Sequence, residues 1–140
     1  MEGLGAAASI IAVIELSAKV ASLCFQYSVA VKHAEKDITR LQKEVKNLTD
    51  VLEEVQELLD SSGGASLSTS QKLLEALNDC SSQLQKLDKR LQPDKIHKAM
   101  GRLRIRALKW PLESKEVDKI ITRLERFKQA FSLALQVDQT

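Results

Sequence analysis

The side chains that most often perform catalysis are few in this chain of 140 residues, and they stand in no catalytic motif. Neither histidine, His33 or His97, lies near a cysteine in a nucleophile or metal-ligand motif. The sequence contains no G-x-S-x-G turn, no Walker A motif and no G-x-G-x-x-G loop. Carboxylates are mixed with lysines at helix-surface spacings, which is typical of solvated helix faces. We therefore predict a protein that is not an enzyme and that uses no metal ion or cofactor.

The two cysteines, Cys24 and Cys80, each fall within an apolar helical pattern. Such positions are typical of buried free thiols in a reducing compartment. Glu2 places a negative charge where a signal peptide carries positive ones. Gly3 is one position too late for N-myristoylation. We expect a cytoplasmic protein without a conventional targeting signal.

A cluster of basic side chains near residue 100 could bind an anionic surface. Its members fall within fifteen residues that contain no acid: Lys95, His97, Lys98, Arg102, Arg104, Arg106 and Lys109. Trp110 follows at once. Trp prefers the membrane interface, and each Lys or Arg contributes about 1 kcal/mol near acidic lipid. The candidates for contact with anionic lipid are therefore Lys95, Lys98, Arg102, Arg104, Arg106, Lys109 and Trp110.

Two other interpretations of this basic cluster stay open. It could be a solvated connector that docks on the second predicted helix, where acids such as Glu53 and Glu57 outnumber bases. It could also contact phosphate backbones. The sequence lacks aromatic stacking platforms and helix-turn-helix spacing, and its net charge is only +2. We therefore do not expect nucleic acid as a partner.

Composition and periodicity predict one all-α domain, a single helical bundle over residues 1–140. The hydrophobic fraction is 44% and the charged fraction 29%, as in ordinary soluble domains. Helix-forming residues are frequent, whereas Gly and Pro are scarce. Apolar residues recur at alternating spacings of three and four, the pattern of helices packed in a bundle. The predicted helices cover residues 4–32, 35–60, 69–92 and 114–137, with a short connector helix at 94–100.

Local signals set the predicted helix ends. Gly63 and Gly64 end the second helix with turn chemistry. Ser68 with Gln71 fits a capping box before the third helix, and Pro93 stops that helix. Ser114 is the predicted N-cap of the fourth helix.

The first predicted helix carries no charge between Gly3 and Ile14. Its first apolar line is Leu4, Ala7, Ile11, Ile14, Ala18, Ala21 and Phe25. Its second apolar line is Ile10, Val13, Leu16, Val20, Leu23 and Tyr27. A third line starts with small residues and becomes polar: Gly5, Ala8, Ala12, Glu15, Lys19, Ser22 and Gln26. A helix that is apolar on most sides is either buried at the centre of a bundle or suited to lipid.

Length and charge limit what the first helix can do in a membrane. Residues 3–14 form about 18 Å of helix, whereas the bilayer core is about 30 Å thick. Glu15 interrupts the apolar run, and a charge at mid-membrane costs roughly 3 kcal/mol. Ala8 and Ala12 have the small-xxx-small spacing that allows close helix packing in membranes. We therefore expect a central helix, wrapped by the other three, that inserts only as part of an assembly.

Three segments together resemble fungal HeLo-like domains. Residues 3–17, GLGAAASIIAVIELS, are similar to the N-terminus of that family. Residues 106–112, RALKWPL, followed by KEV at 115–117, resemble a second signature, and FSLALQ at 131–136 resembles a third. The resemblance covers nearly the whole chain, and the three segments in order are more specific than any one alone.

The resemblance implies a bundle similar to the four-helix execution domain of the necroptotic mixed-lineage kinase-domain-like pseudokinase. It implies a role in programmed cell death, fungal innate immunity and heterokaryon incompatibility. A NOD-like receptor or an amyloid-signalling partner would cluster the domains, and the first helix would then permeabilise the plasma membrane. The membrane-active residues carried over by position are Leu4, Ala7, Ala8, Ile10, Ile11, Ala12, Val13, Ile14 and Glu15.

A second function class stays open beside membrane permeabilisation. The long apolar seams also suit a soluble homotypic, adaptor or autoinhibitory module of a larger signalling protein. The chain has neither a nucleotide-binding motif nor an amyloid motif. We therefore expect its trigger beyond Thr140 or in another chain.

Overall fold

The computed structural model describes the backbone of residues 2–62, 67–92 and 109–139, and the side chains of residues 9–60, 71–92 and 109–136. Over these ranges the chain forms four α-helices and no strand, which confirms the all-α prediction. The predicted connector helix at 94–100 lies outside the described residues. The helices are α1 (Glu2–Ala30), α2 (Glu35–Ser62), α3 (Leu67–Leu91) and α4 (Ser114–Gln139).

The observed ends of the helices differ from the predicted ones by one or two residues, except that α2 and α4 begin at the predicted residues. Ser68 lies inside the first turn of α3 rather than before it. Ser114 is the first residue of α4 rather than the cap before it, and its hydroxyl donates to Asp37 Oδ2 at 2.6 Å. Instead Glu116 reaches back to the backbone N–H of Glu113 at 3.3 Å. This is the return half of a capping box, in which a glutamate satisfies an unpaired amide at the helix start.

The predicted seams of α2 and α3 form the centre of the core. On α2 the predicted seam residues Ile38, Leu41, Val45, Leu48, Leu52 and Val55 are at least 98% buried, and Leu59 is half-buried. On α3 the whole predicted seam is buried: Leu73, Leu77, Cys80, Leu84, Leu87 and Leu91. On α4 the predicted stripe is fully buried at Val117, Leu124 and Phe131, and half-buried at Ile120, Phe127 and Ala134.

The four helices are arranged so that α1 and α4 lie at opposite corners of the bundle. Both α1 and α4 pack against α2 and α3. Ion pairs fix α4 to its two neighbours: Lys128 to Glu44 at 3.0 Å, Arg40 to Asp118 at 2.7 Å and Arg90 to Glu116 at 2.8 Å. The prediction that the first helix is central, wrapped by the other three, is therefore wrong. A helix with two neighbours buries one face and leaves the opposite face in solvent.

Candidate functional site

One face of α1, called here the core face, packs on α2 and α3. The residues on this face follow one another at alternating spacings of three and four. Its residues are Ile10, Val13, Ser17, Val20, Cys24 and Tyr27. Most of the second apolar line lies on it. The second apolar line was predicted to pass through Leu16, but Leu16 is half-buried and Ser17 is fully buried. The unbroken spacing through Ser17 is the signal that would have identified it.

The opposite side of α1, called here the outer face, carries exposed apolar residues. Ile11 is 45% exposed, Phe25 57% and Val29 68%, and Ala18 is also exposed. From Ile11 to Phe25, the first apolar line therefore lies on or beside this face, with Ile14 half-buried at its edge. Val29, four residues after Phe25, extends the same face and was missed because the predicted line stopped at Phe25.

The third, polar line of α1 is also turned to solvent. Ala12, Glu15, Lys19, Ser22 and Gln26 are all exposed. The predicted membrane-active residues are thus divided between two environments, with Ile10 and Val13 in the core and Ile11, Ala12 and Glu15 outside. The side chains of Leu4, Ala7 and Ala8 lie outside the described residues, although their backbone belongs to α1.

The apolar part of α1 extends well beyond residues 3–14, the uncharged segment at its start. Residues Ser9–Ala30 are long and apolar enough to cross a membrane, and this is the one such segment in the described part of the chain. Its 22 residues form about 33 Å of helix, against a bilayer core of about 30 Å. It contains only two charges, Glu15 and Lys19, and about a third of it is buried in the bundle. The buried helix of a soluble protein can satisfy the same length criterion.

A pair of hydroxyl groups joins α1 to α2. Ser17 Oγ lies 2.7 Å from Thr49 Oγ1. Each hydroxyl is also within reach of a carbonyl on its own helix, Ser17 of Ile14 and Thr49 of Val45, both at 2.9 Å. Two hydroxyl protons serve three contacts, so one contact lacks a proton at any moment. This arrangement satisfies the hydrogen-bonding capacity of the buried Ser17 hydroxyl without a charged partner.

Tyr27 joins α1 to the end of α3. Its hydroxyl donates to the backbone carbonyl of Leu91 at 2.7 Å. The Tyr27 ring meets the ring of Trp110 edge to face, with centroids 5.2 Å apart and planes at 79°. Burial raises the pKa of Tyr27, with a smaller contribution from Cys24. The buried Nε1 of Trp110 has no hydrogen-bond partner among the described residues.

An ion pair also joins α1 to α3. Lys19 Nζ lies 3.4 Å from Asp88 Oδ2, and the same oxygen accepts a hydrogen bond from Gln92 at 3.1 Å. Glu15 and Lys19 are four residues apart on α1, a spacing that permits an ion pair on the helix surface. The structure pairs Lys19 with Asp88 instead, because the side chain of Asp88 is nearly buried and its charge needs a partner more than that of exposed Glu15.

A family model described as pigment biosynthesis cluster protein PigL N-terminal matches residues 1–138. The chain belongs to this family. The PigL N-terminal match is to a fungal family, which agrees with the fungal part of the predicted resemblance. No curated protein and no solved structure gives a significant match.

Only the last residues of the basic cluster of this PigL N-terminal domain fall within the described part of the chain. Lys95, Lys98, Arg102, Arg104 and Arg106 lie outside the described residues, whereas Lys109 is exposed. Trp110 is only 8% exposed, because it packs on Tyr27. A lipid contact of the Trp110 ring therefore requires the ring to leave Tyr27.

Both thiols of the PigL N-terminal domain are free and buried, as predicted. Burial raises the pKa of Cys24 and of Cys80 to about 12. Within the described ranges, no group of three or more His, Cys, Asp or Glu side chains could hold a metal ion. Three of the four exposed large hydrophobic side chains in the described part of the chain, Ile11, Phe25 and Val29, lie on the outer face of α1, so this face is the candidate site.

Proposed function

We propose that this PigL N-terminal domain is a HeLo-like, membrane-targeting execution domain. In the proposal, the domain is cytoplasmic at rest and permeabilises the plasma membrane when several copies assemble through α1. One observation carries it: α1 combines a length sufficient to span a bilayer with apolar side chains already turned to solvent. The three HeLo-like sequence signatures support a role in programmed cell death, downstream of a NOD-like receptor or an amyloid-signalling partner.

The first step in this proposal needs no change of fold. Phe25 and Val29 are exposed while α1 is docked, so they can enter the interfacial region of a bilayer directly. Complete burial of a Phe or Val side chain stabilises by about 1.5–3 kcal/mol. A shallow contact of this kind would hold the domain near the membrane with α1 parallel to the surface.

The second step is the release of α1 from α2 and α3. Release breaks the Ser17–Thr49 contact, the Tyr27–Leu91 hydrogen bond and the Lys19–Asp88 ion pair. It also exposes the core face and the apolar surface that α1 covers on α2 and α3. Because so much apolar surface would face water, release is favourable only where lipid or other copies of α1 cover it.

The third step is insertion as an assembly. Glu15 and Lys19 would cost roughly 3 kcal/mol each at the centre of a bilayer. In a group of helices the polar line can face a wet lumen, while the outer and core faces contact lipid and neighbouring helices. A single copy lacks this arrangement, so the proposal requires self-association.

The proposal is tested by leakage of dye from anionic vesicles. The domain is fused to an inducible oligomerisation module, and Ile11→Glu and Phe25→Glu are compared with the parent. Leu133→Glu is the matched control, because Leu133 is 60% exposed but lies on α4, across the bundle from α1. We expect leakage by the parent and the control and little leakage by the two α1 variants.

Two outcomes would contradict membrane permeabilisation. One is equal leakage by all four proteins, which would mean that the outer face is not involved. The other is no leakage by the parent on anionic vesicles after oligomerisation has been induced. Circular dichroism of each variant confirms that the bundle is folded before the assay.

A second candidate is a soluble homotypic or adaptor module. The same exposed Phe25 and Val29 favour it, because exposed apolar patches often mark protein contacts. In that case light scattering would show a stable dimer in solution that Phe25→Glu dissociates. The dimer would have no affinity for vesicles, which separates this function from the first.

A further inference from the structure

A second surface lies on the opposite side of the bundle, between α3 and α4. α4 packs less closely on α3 than on α2, which leaves a groove with a cavity of about 280 Å³ between them. The floor of the groove is apolar. It is formed by Leu87, Leu112, Ile120 and Leu124, three of which are buried and one half-buried.

The rim of the α3–α4 groove is cationic. Lys86 and Arg90 line it from α3, and Lys119 and Arg123 line it from α4. Glu116 is the one acid among the residues that line the cavity, and Arg90 holds both of its oxygens, at 2.8 and 3.3 Å. This pairing lowers the pKa of Glu116 and neutralises Arg90.

Among the described residues, Lys86, Lys119 and Arg123 of the rim form no ion pair, although Lys119 interacts with the charge of Glu116 and helps to lower the pKa of that carboxyl. Arg123 donates to the neutral amide oxygen of Gln83 at 3.2 Å. Cations without an ion pair beside an apolar floor match a ligand with one acidic group and one apolar part.

We propose that the α3–α4 groove binds a single-chain anionic amphiphile from solution, of the class of a medium- or long-chain carboxylate. The carboxylate lies between Lys86, Lys119 and Arg123, and the alkyl chain covers Leu87, Ile120 and Leu124. Charge-assisted hydrogen bonds hold the head group, and burial of the chain adds the hydrophobic contribution.

Size and position select this ligand over others. Pockets for drug-sized ligands measure roughly 300–1,000 Å³, so a groove of about 280 Å³ fits one alkyl chain rather than a two-chain phospholipid. A bilayer that contacts the outer face of α1 lies across the bundle from α4. The ligand is therefore taken from solution, and the site does not depend on the membrane function of α1.

The acidic end of α2 from a second copy matches the charge of the rim but does not match the apolar floor. Residues 50–60 of α2 contain five acids and no base, which complements the rim. The exposed side chains of that stretch are all polar or charged, so docking it would leave the apolar floor uncovered.

The proposal is tested by calorimetric titration of the 140-residue chain with decanoate below its micelle concentration, in the absence of vesicles. Decanol, with the same chain and no charge, is the comparison ligand. The test variant is Lys86→Gln with Lys119→Gln. The matched control is Lys43→Gln with Lys72→Gln, two exposed lysines that do not line the groove.

We expect one decanoate per chain, with affinity at least about tenfold weaker for decanol and for the test variant, and unchanged for the control. Equal affinity for decanoate and decanol, or an unchanged test variant, would overturn the proposal. Ionic-strength-dependent self-association that the test variant abolishes, without decanoate binding, would assign the groove to a second copy instead. Vesicle leakage is measured separately, so failure of one proposal leaves the other standing.

Discussion

At the scale of single residues, Trp110 shows a conflict between packing and hydrogen bonding. Its ring packs edge to face on Tyr27, a geometry that contributes about 0.5–1.5 kcal/mol beyond area burial. Its Nε1 is buried without an acceptor among the described residues. A buried donor without a partner costs about 1–3 kcal/mol. The ring therefore stabilises the junction of α1, α3 and α4 while its N–H opposes it.

Substitution of Trp110 should separate these two effects. Trp110→Phe keeps an aromatic ring and removes the N–H, so we expect the free energy of unfolding to change by less than about 1 kcal/mol or to rise. Trp110→Ala removes the ring and should lower it by about 3–5 kcal/mol. Urea denaturation followed by circular dichroism measures both. A loss with Phe as large as with Ala would mean that the N–H has an acceptor and is stabilising.

The buried thiols make a prediction about alkaline pH. Burial raises the pKa of Cys24 and Cys80 from 9.0 to about 12. Below pH 9 both thiols are protonated in the folded and unfolded states, so their contribution is constant. Above pH 9 the unfolded chain loses these protons first, and stability falls as pH rises toward 12.

This prediction is tested by comparing how steeply stability falls with pH in two proteins. Denaturation midpoints are measured from pH 7 to pH 11 for the parent and for Cys24→Ala with Cys80→Ala. The variant should start lower, because it loses buried volume, but should decline less steeply above pH 9. Parallel curves would show that the thiols titrate alike in both states. Tyr27, whose pKa is also raised, is present in both proteins; the effect of its burial is common to both, whereas the smaller contribution of Cys24 is lost in the variant.

At the scale of elements, the buried faces of α2 and α3 were predicted best from the sequence, and the position of α1 in the bundle was predicted least well. The seams of α2 and α3 could be identified because each helix has one apolar stripe between polar sides. α1 has two apolar lines, and periodicity does not say which line meets the core. The number of neighbours a helix has depends on how the other helices pack, and no local pattern in residues 2–30 records that.

The same limit explains the mistakes in detail. The second apolar line included Leu16, whereas the fully buried position is Ser17, whose hydroxyl contacts Thr49 on another helix. Ser114 was the predicted cap of α4, but it is the first residue of that helix and its hydroxyl donates a hydrogen bond to Asp37 on α2. In both cases the side chain finds a partner distant in sequence. The outer face itself could be partly predicted, since Ile11, Ala18 and Phe25 were placed on one line.

The proposed release of α1 can be tested by locking it in place. Ser17 and Thr49 lie with their side-chain oxygens 2.7 Å apart, so Ser17→Cys with Thr49→Cys places two thiols within reach of each other. The pair is introduced in a background with Cys24→Ala and Cys80→Ala. The oxidised protein should bind vesicles but cause no leakage, because α1 cannot separate from α2.

Reduction of the disulfide should restore leakage to the level of the background protein. Mass spectrometry after alkylation establishes that the bond is present in the oxidised sample and absent in the reduced one. Leakage that is unchanged by oxidation would show that the domain permeabilises membranes with α1 still docked, and would require a different second step.

At the scale of the whole molecule, the arrangement places two unlike surfaces on opposite sides. The outer face of α1 carries exposed apolar side chains, and the α3–α4 groove combines an apolar floor with cations. Three ion pairs join α4 to α2 or α3, Lys128 to Glu44, Asp118 to Arg40 and Glu116 to Arg90, so α4 remains anchored when α1 leaves.

The core face of α1 has a thermodynamic consequence, because it is held mainly by buried apolar side chains rather than by charges. Exposing such surface raises the heat capacity of the protein, so the free energy of α1 docking is a curved function of temperature with a maximum. Docking should weaken on cooling as well as on heating. Hydrogen exchange of α1 amides, corrected for intrinsic rates at 4, about 20 and about 40 °C, should show slowest opening at the middle temperature. A domain held in this way is loosened by cold, and its resting state is most secure near the temperature of maximum docking.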